Sequence, residues 1–405
     1  MKKTSIFSLA LTLAVGSSLN AAAQSAQDVA TKYRRSSIYS LLISHNDQKF
    51  ADEIKRAFVA MPVPDKYNDH DLSVKVVEMS SKLKGVASDN ENTAVTQFLE
   101  TNHVASRLVG KWFNRDIYTG TCDMELIKER GLYNAGKFDH ILSERSARSQ
   151  ALMMDAGEQL IGNTFVLVND IRYIDKENTG KVVGGLFRAL GQMAGYSDLG
   201  NNLGSTMETL KGFRVKINTF LYQLNWDEQT AFNFYKDQYT EQPDITKFNN
   251  FDNSRANYKL TYAGKVESSG STTSFLGVNL DDKDAMVRKA CQRALDENVV
   301  ALQTQFPAFR TKSPIVTTEP LTAFVGMKEG VNAKSKFEVL EEVEAEDGTR
   351  SYHKVAEIVP IEGKIWDNRY MAFEEGAEGA DLGCTTFRKV SGKDILAGML
   401  IREVK

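Results

Sequence analysis

Five histidines, three cysteines and a few carboxylate clusters are the side chains here whose chemistry could be catalytic or metal-binding. The histidines are His45, His70, His103, His140 and His353. No two of them flank a glutamate at a separation of four, the spacing that puts two zinc ligands on one helical face. The densest polar cluster is Asn68-Asp69-His70-Asp71, which reads as a solvated turn after Pro64 before it reads as a metal site. His45-Asn46-Asp47 stands where an apolar run gives way to a helical pattern. Strand ends of that kind bind ligands in α/β sheets, which singles out His45, although helix capping by Asp47 accounts for the segment without a ligand. No G-x-S-x-G turn presents a serine nucleophile, and no cysteine lies in a protease signature. The sequence therefore offers no catalytic residue and no metal or cofactor site. Its one enzyme reading is a hydrolase built around His45 and His70.

Two other segments carry chemistry-bearing types. Glu374, Glu375, Glu378 and Asp381 fall in a Gly/Ala-rich stretch, a solvated acidic loop by composition and without the ligand spacing of an EF-hand. Residues 180–205 interleave Gly180, Gly184, Gly185, Gly191, Gly195, Gly200 and Gly204 with apolar side chains. The stretch lacks the Gly-Lys-Ser/Thr ending that cradles phosphate, and it is not G-x-G-x-x-G. Small residues let another backbone approach closely. Val183, Leu186, Phe187 and Leu190 are thus candidate contacts with a protein partner or a membrane surface, or else an internal helix folded back on its own domain.

Composition bounds these readings. With 42% hydrophobic and 25% charged residues the chain is an ordinary globular one. Its 50 basic and 53 acidic residues, net charge −3, give no basic face for nucleic acid. Lys2-Lys3, the apolar run Ile6–Val15 and Ala21-Ala22-Ala23 have the order of a secretory signal, with cleavage expected after Ala23. No later stretch is apolar for the roughly 18 residues of a membrane helix, so no transmembrane segment is expected in the mature chain. Cys122, Cys291 and Cys384 make an odd count for an exported protein, leaving at least one thiol unpaired. Cys291 falls on the apolar stripe of a helix and reads as buried; a Cys122–Cys384 bridge stays open.

The elements that must position these residues alternate in type. Ser36–Ser44 is a mostly apolar run that does not alternate, the pattern of a strand buried on both faces. Helical spacing follows at Phe50, Ile54, Ala57, Phe58 and Met61, stopped by Pro62 and Pro64, then over 93–112 and 139–160. Gly162-Asn163 turns the chain into a second buried strand, Thr164–Val168. Phe213, Val215 and Ile217 alternate with polar residues, and Phe220, Tyr222 and Leu224 shift parity, implying a bulge or full burial. A hairpin across Asp227-Glu228 into Phe232–Tyr235 is expected, with a short helix as the alternative, and Tyr258, Leu260 and Tyr262 mark another strand. Val287, Cys291, Leu295, Val299, Leu302 and Phe306 define one long helix, capped at Asp281 or Asp282 and ended by Pro307. Pro314 and Pro320 punctuate a linker. Beyond it, short strands flank Asp347-Gly348 and Ser391–Asp394 and end at Met399–Ile401.

The helix–glycine–strand unit Asp155-Ala156-Gly157-Glu158-Gln159-Leu160-Ile161-Gly162 followed by Thr164–Val168 resembles that of curli-secretion lipoproteins and flagellar-ring accessory proteins. Ala397-Gly398-Met399-Leu400-Ile401-Arg402-Glu403 looks like the end of the small barrel that closes some flagellar-ring proteins. The whole chain also resembles a secreted family of Gram-negative anaerobes, a likeness that implies no particular activity. Unlike the curli proteins, this chain has no cysteine near its cleavage site to carry a lipid, and no functional residue carries over.

The expectation is an α/β fold, or α+β, with a sheet covered by helices and a small β-barrel-like unit after it. Residues 1–23 are the signal, 24–312 the α/β domain with its glycine-rich insertion, and 313–405 the β domain. The expected role is a non-enzymatic one in envelope assembly or binding, in the periplasm or at the outer membrane. The hydrolase is one alternative. A surface binder of carbohydrate or host factors is the other, suggested by tyrosines within 222–262 that core burial explains equally.

Overall fold

In the computed structural model, which describes residues 36–78, 88–134, 159–174, 212–273, 283–344 and 350–404, strand β1 (Ser36–Ser44) is the centre of the first sheet. On one side it pairs in parallel with β4 (Thr164–Tyr173). On the other it pairs in parallel with β2 (Tyr67–Asp69) at its start and with β3 (Val76–Glu78) at its end. Two antiparallel strands, β5 (Gly212–Leu224) and β6 (Leu260–Thr273), complete the order β2-β1-β4-β5-β6.

Helices cover both faces, which is why β1 and the first half of β4 carry apolar residues at successive positions and not only at alternate ones. Tyr39, Leu41 and Ile43 of β1 and Val166 and Val168 of β4 point into one core. That core is closed by α2 (Ser88–Thr101), α3 (Val104–Trp112), α4 (Glu125–Asn134), α5 (Glu228–Asp237) and α6 (Ile245–Asn253). Ile38, Leu42, Phe165, Leu167 and Ile171 point the other way. There they meet α1 (Ala51–Ala60) and the long α7 (Lys283–Gln305), whose Val287, Ala290, Cys291, Ala294 and Leu302 are fully buried. Helix α7 crosses β6 very closely: a Cβ on Gly270 would stand 2.1 Å from the Ala290 carbonyl oxygen. Ser268 Oγ donates to the Ala294 carbonyl at 2.7 Å in the same crossing.

The second sheet is a closed barrel of β7 (Ser313–Thr318), β8 (Leu321–Ala323), β9 (Lys336–Glu344), β10 (Arg350–Pro360), β11 (Thr385–Gly392) and β12 (Leu400–Val404). Phe337, Val339, Ile358, Phe387 and Ile401 fill it. Its attachment to the first unit is charged. Lys289 and Arg293 of α7 both pair with Glu375, Arg293 Nη2 at 2.7 Å, and Lys328 Nζ is 3.3 Å from Asp65 Oδ2.

Several local expectations give way. Asp47 does not cap α1: the helix starts after Phe50, which turns the chain in a left-handed conformation at φ 62°, and Asp52 and Glu53 complement the helix dipole instead. The pattern over 93–112 is two helices, broken where His103 adopts φ 49°. Asp227 begins α5 and not a hairpin, because its carboxylate accepts from the Thr230 amide at 2.7 Å and Phe234 is drawn into the core. Pro314 and Pro320 do not sit in a linker. Pro314 lies in β7 opposite Leu400, near the end of a pairing that reaches only Ser313, and Pro320 makes the β7–β8 turn. The parity change in β5 reflects burial on both faces from Thr219 to Tyr222, beside a register shift against β6.

Candidate functional site

The two histidines singled out by the sequence hold different parts of the fold together. His45 follows β1 directly, and its Nε2 lies 2.6 Å from Asp170 Oδ1 on the neighbouring β4, both residues buried. Burial alone would push the Asp170 carboxyl up. The hydrogen bonds from His45 and from Arg172 (Nε 2.8 Å to Oδ1, Nη2 3.2 Å to Oδ2) outweigh it and hold the group below the ordinary carboxylate range. Gln48 adds bonds to Ile171 O and Tyr173 N, so the turn after β1 is stapled to β4.

His70 is not in a solvated turn. It is fully buried, stacked on Trp112 at 4.9 Å, with Nε2 3.0 Å from the Leu108 carbonyl and Nδ1 2.9 Å from Arg130 Nη1. A carbonyl accepts and a guanidinium donates, so the ring carries its proton on Nε2 and is neutral. Burial, reinforced by the Arg130 charge, pulls its pKa down to about 3. Arg130 in turn donates to Ser37 Oγ and to Asp69 O, tying β2 to β1 and α4. The His70 amide bonds to the Ile38 carbonyl. His45 stands seven residues further along the same extended chain, about 20 Å away at ~3.3 Å per residue. The structure does not bring these two histidines together.

What it does bring together lies under α7. Because β2 and β3 pair with opposite ends of β1, the segment 71–74 between them leaves the middle of β1 without a strand on the edge away from β4. Ser40, the one position of β1 that is not fully buried, faces the resulting cleft. Its walls are Ile38, Leu167, Leu295 and Val299; Phe58 and the segment Met61–Pro64 form one lip, and Asp69, Asp71 and Lys75 another. Centres of water-sized molecules can occupy about 60 Å³ of it, and the void with its mouth is about 660 Å³. That core volume exceeds the roughly 10–15 Å³ one water needs, and suits a few waters or one short chain.

The floor is polar. Asn169 Nδ2 donates to Ser40 Oγ at 3.0 Å, Thr219 Oγ1 to Asn169 Oδ1 at 2.8 Å, and Asn298 Nδ2 to Thr219 Oγ1 at 2.8 Å. This ladder crosses β1, β4 and β5 and climbs onto α7. It ends with Asn298 Oδ1, a buried acceptor with no protein partner. On the other flank of α7, Asp296 is 6% exposed; Gln292 donates to its Oδ1 at 3.1 Å, and its Oδ2 has no protein partner. Burial pushes the Asp296 carboxyl up to about 6, against the opposing pull of Lys328. An unanswered buried acceptor costs about 1–3 kcal/mol, so two at one cleft point to donors arriving from outside the protein.

The remaining sequence candidates fall elsewhere. Val183, Leu186, Phe187 and Leu190, the whole glycine-rich segment, the amino-terminal residues and most of the 139–160 helix lie outside the described residues. All three cysteines are free: Cys122 and Cys291 are buried, Cys291 on α7 as its stripe implied, and Cys384 is half-buried. The acidic loop is not merely solvated, since Glu375 closes the ion pairs to α7. Tyr222 and Tyr258 are core residues. Among the described residues no group of three or more His, Cys, Asp or Glu side chains could hold a metal ion, and no helix is long and apolar enough to cross a membrane. Sequence reasoning missed the cleft, although Ser40, Asn169 and Asn298 are polar residues set inside otherwise apolar patterns, which is the signal that finds such a floor. No protein-family model matches the chain, and no significant relative was found among characterised proteins.

Proposed function

We propose that the chain is an exported, non-enzymatic binding protein of the cell envelope, and that its ligand enters the cleft under α7. The observation that carries the binding reading is the pair of buried acceptors, Asp296 Oδ2 and Asn298 Oδ1, left without protein partners beside an open void. Polar groups so placed are retained against a stability cost, and a ligand that donates hydrogen bonds would repay it. Export rests on the amino-terminal order of charge, apolar run and small residues. In this reading Val183, Leu186, Phe187 and Leu190 contact a protein partner or the outer-membrane surface. The hydrolase alternative required His45 and His70 to act on one substrate, and each is committed to a separate structural network.

Two measurements test the proposal. Mass analysis of the protein recovered from an exporting host should give a chain starting at Gln24 in the envelope fraction; an intact amino terminus in the cytosol refutes export. A thermal-shift screen of small hydrogen-bond donors should give hits that disappear in Met61→Trp, whose larger side chain closes the cleft's lip. Hits that survive that substitution would move the site elsewhere, and a screen with none would refute cleft binding.

A further inference from the structure

The charges around the cleft are unequal. Of its lining residues Asp69, Asp71 and Asp296 are acids and only Lys75 is a base. Lys75 is 3.8 Å from Asp71 Oδ2, and the charges of Lys111 and Arg130 act on Asp69, which leaves Asp296 to be balanced. Around Asp296 itself the charged groups are Lys328, Glu329 and Asp65, with Glu297 and Arg293 of α7 beside them, Arg293 being paired with Glu375. Lys328 is shared with Asp65 at 3.3 Å, and Glu329 is held by the Gly326 amide and Asn368 Nδ2, so acids outnumber bases at this end. The buried carboxylate oxygen that no protein group reaches therefore sits in a net negative field. The walls that lead to it are apolar: Phe58, Met61, Val63, Leu295 and Val299. A ligand that fits has a cationic donor at its tip and a short hydrocarbon stem behind it. Anions are excluded by the field, and a hard divalent cation lacks grouped ligands among the described residues.

We infer that the cleft under α7 receives the ammonium head of a primary alkylamine, with Asp296 as its counter-ion and the Phe58–Val63 lip along its stem. This inference rests on the reading of the cleft as a binding site and gives that site its ligand chemistry. Asn298 Oδ1 does not share the same nitrogen. It lies two residues on, about 200° around α7, and would take a second donor on the sheet side. The amine can be a free small molecule or the side chain of a lysine.

The test is calorimetric titration of the purified exported protein at pH 8 with n-butylammonium, 1-butanol, butyrate and an Nα-acetyl-lysine methylamide. Butylammonium is expected to bind at least tenfold more tightly than 1-butanol, with no binding of butyrate, and Asp296→Asn should weaken it at least tenfold. Equal or tighter binding of the blocked lysine assigns the amine to a lysyl side chain, and much weaker binding assigns it to a free amine; both sustain the inference. If Asp296→Asn is poorly folded, Met61→Trp serves, since it leaves the carboxylate intact and should abolish binding. Butanol binding as tightly as butylammonium, with both lost in Met61→Trp, overturns the ammonium inference while the cleft reading stands. Butylammonium bound equally by wild type, Asp296→Asn and Met61→Trp overturns the assignment to this cleft. No binding by any of the four overturns the inference outright, and the broader donor screen then decides the cleft by itself.

Discussion

Replacing Asp296 by asparagine should make the protein more stable at pH 8 and leave its stability almost unchanged at pH 3.5. The carboxyl titrates near 6 in the folded chain against 3.8 when exposed, chiefly because burial disfavours its charge. A group whose acid form is favoured by folding stabilises the native state below the unfolded value. That contribution is lost as pH rises from 3.8 to about 6. At about 1.4 kcal/mol per pH unit, the ionised side chain costs about 3 kcal/mol once the pH exceeds both values. With 6% of the residue exposed, solvent screening takes little from that figure. Asparagine has nearly the same shape and keeps an acceptor for Gln292, but its amide brings N–H groups that want partners. The net gain at pH 8 should then be about 1–3 kcal/mol. Urea unfolding of wild type and variant at pH 3.5, 5, 6.5 and 8 reads this directly: the difference in midpoint should open between pH 4 and 6.5 and then stay level. A variant destabilised by more than about 1 kcal/mol at every pH would refute the reasoning, because Asp296 would then be satisfied in its charged form.

Three further outcomes follow from the packing. Gly270→Ala should cost about 1–3 kcal/mol in chemical denaturation, since the new methyl meets the Ala290 carbonyl 2.1 Å away and α7 must lift from β6; an unchanged midpoint would deny that close crossing. Glu375→Ala strands Lys289, which is 2% exposed, and should cost about 3–5 kcal/mol and speed proteolysis between α7 and the barrel, whereas Lys289→Met with Glu375→Leu should recover most of the loss. The contribution of His70 to stability should be lost as pH drops from 6.5 towards 3, opposite in sign to that of Asp296, because His70 is neutral in the folded chain and must be charged outside it; His70→Asn should therefore gain on the wild type as pH falls, and a difference between the two that does not change with pH would refute this.

Much of the frame was legible in the sequence because it follows from local periodicity. The runs at 36–44 and 164–168 carry apolar residues at both odd and even positions, which only a strand covered on both faces accommodates, and helices do cover both faces of β1 and β4. The four-residue stepping from Val287 to Leu302 gives one helix, and α7 is that helix. Capping was less legible. Asp47 and Asp227 are equally good capping residues, yet only Asp227 caps, because the turn through Phe50 displaces the start of α1. His70 was misread for a similar reason: Asn68-Asp69-His70-Asp71 looks solvated by composition, and it is Trp112 and Arg130, 42 and 60 residues away, that bury it.

Layering, the type of the long apolar elements and the expectation of a terminal strand-built unit were thus determined by the sequence alone, since each depends on side chains a few residues apart. The cleft was decided only in three dimensions. It exists because two short strands claim opposite ends of β1 and leave Ser40 without a partner strand on that edge, and because α7 lays Asp296 and Asn298 over that gap. Strand pairing and helix crossing depend on which distant surfaces exclude water together, and no local pattern of residue types encodes that choice.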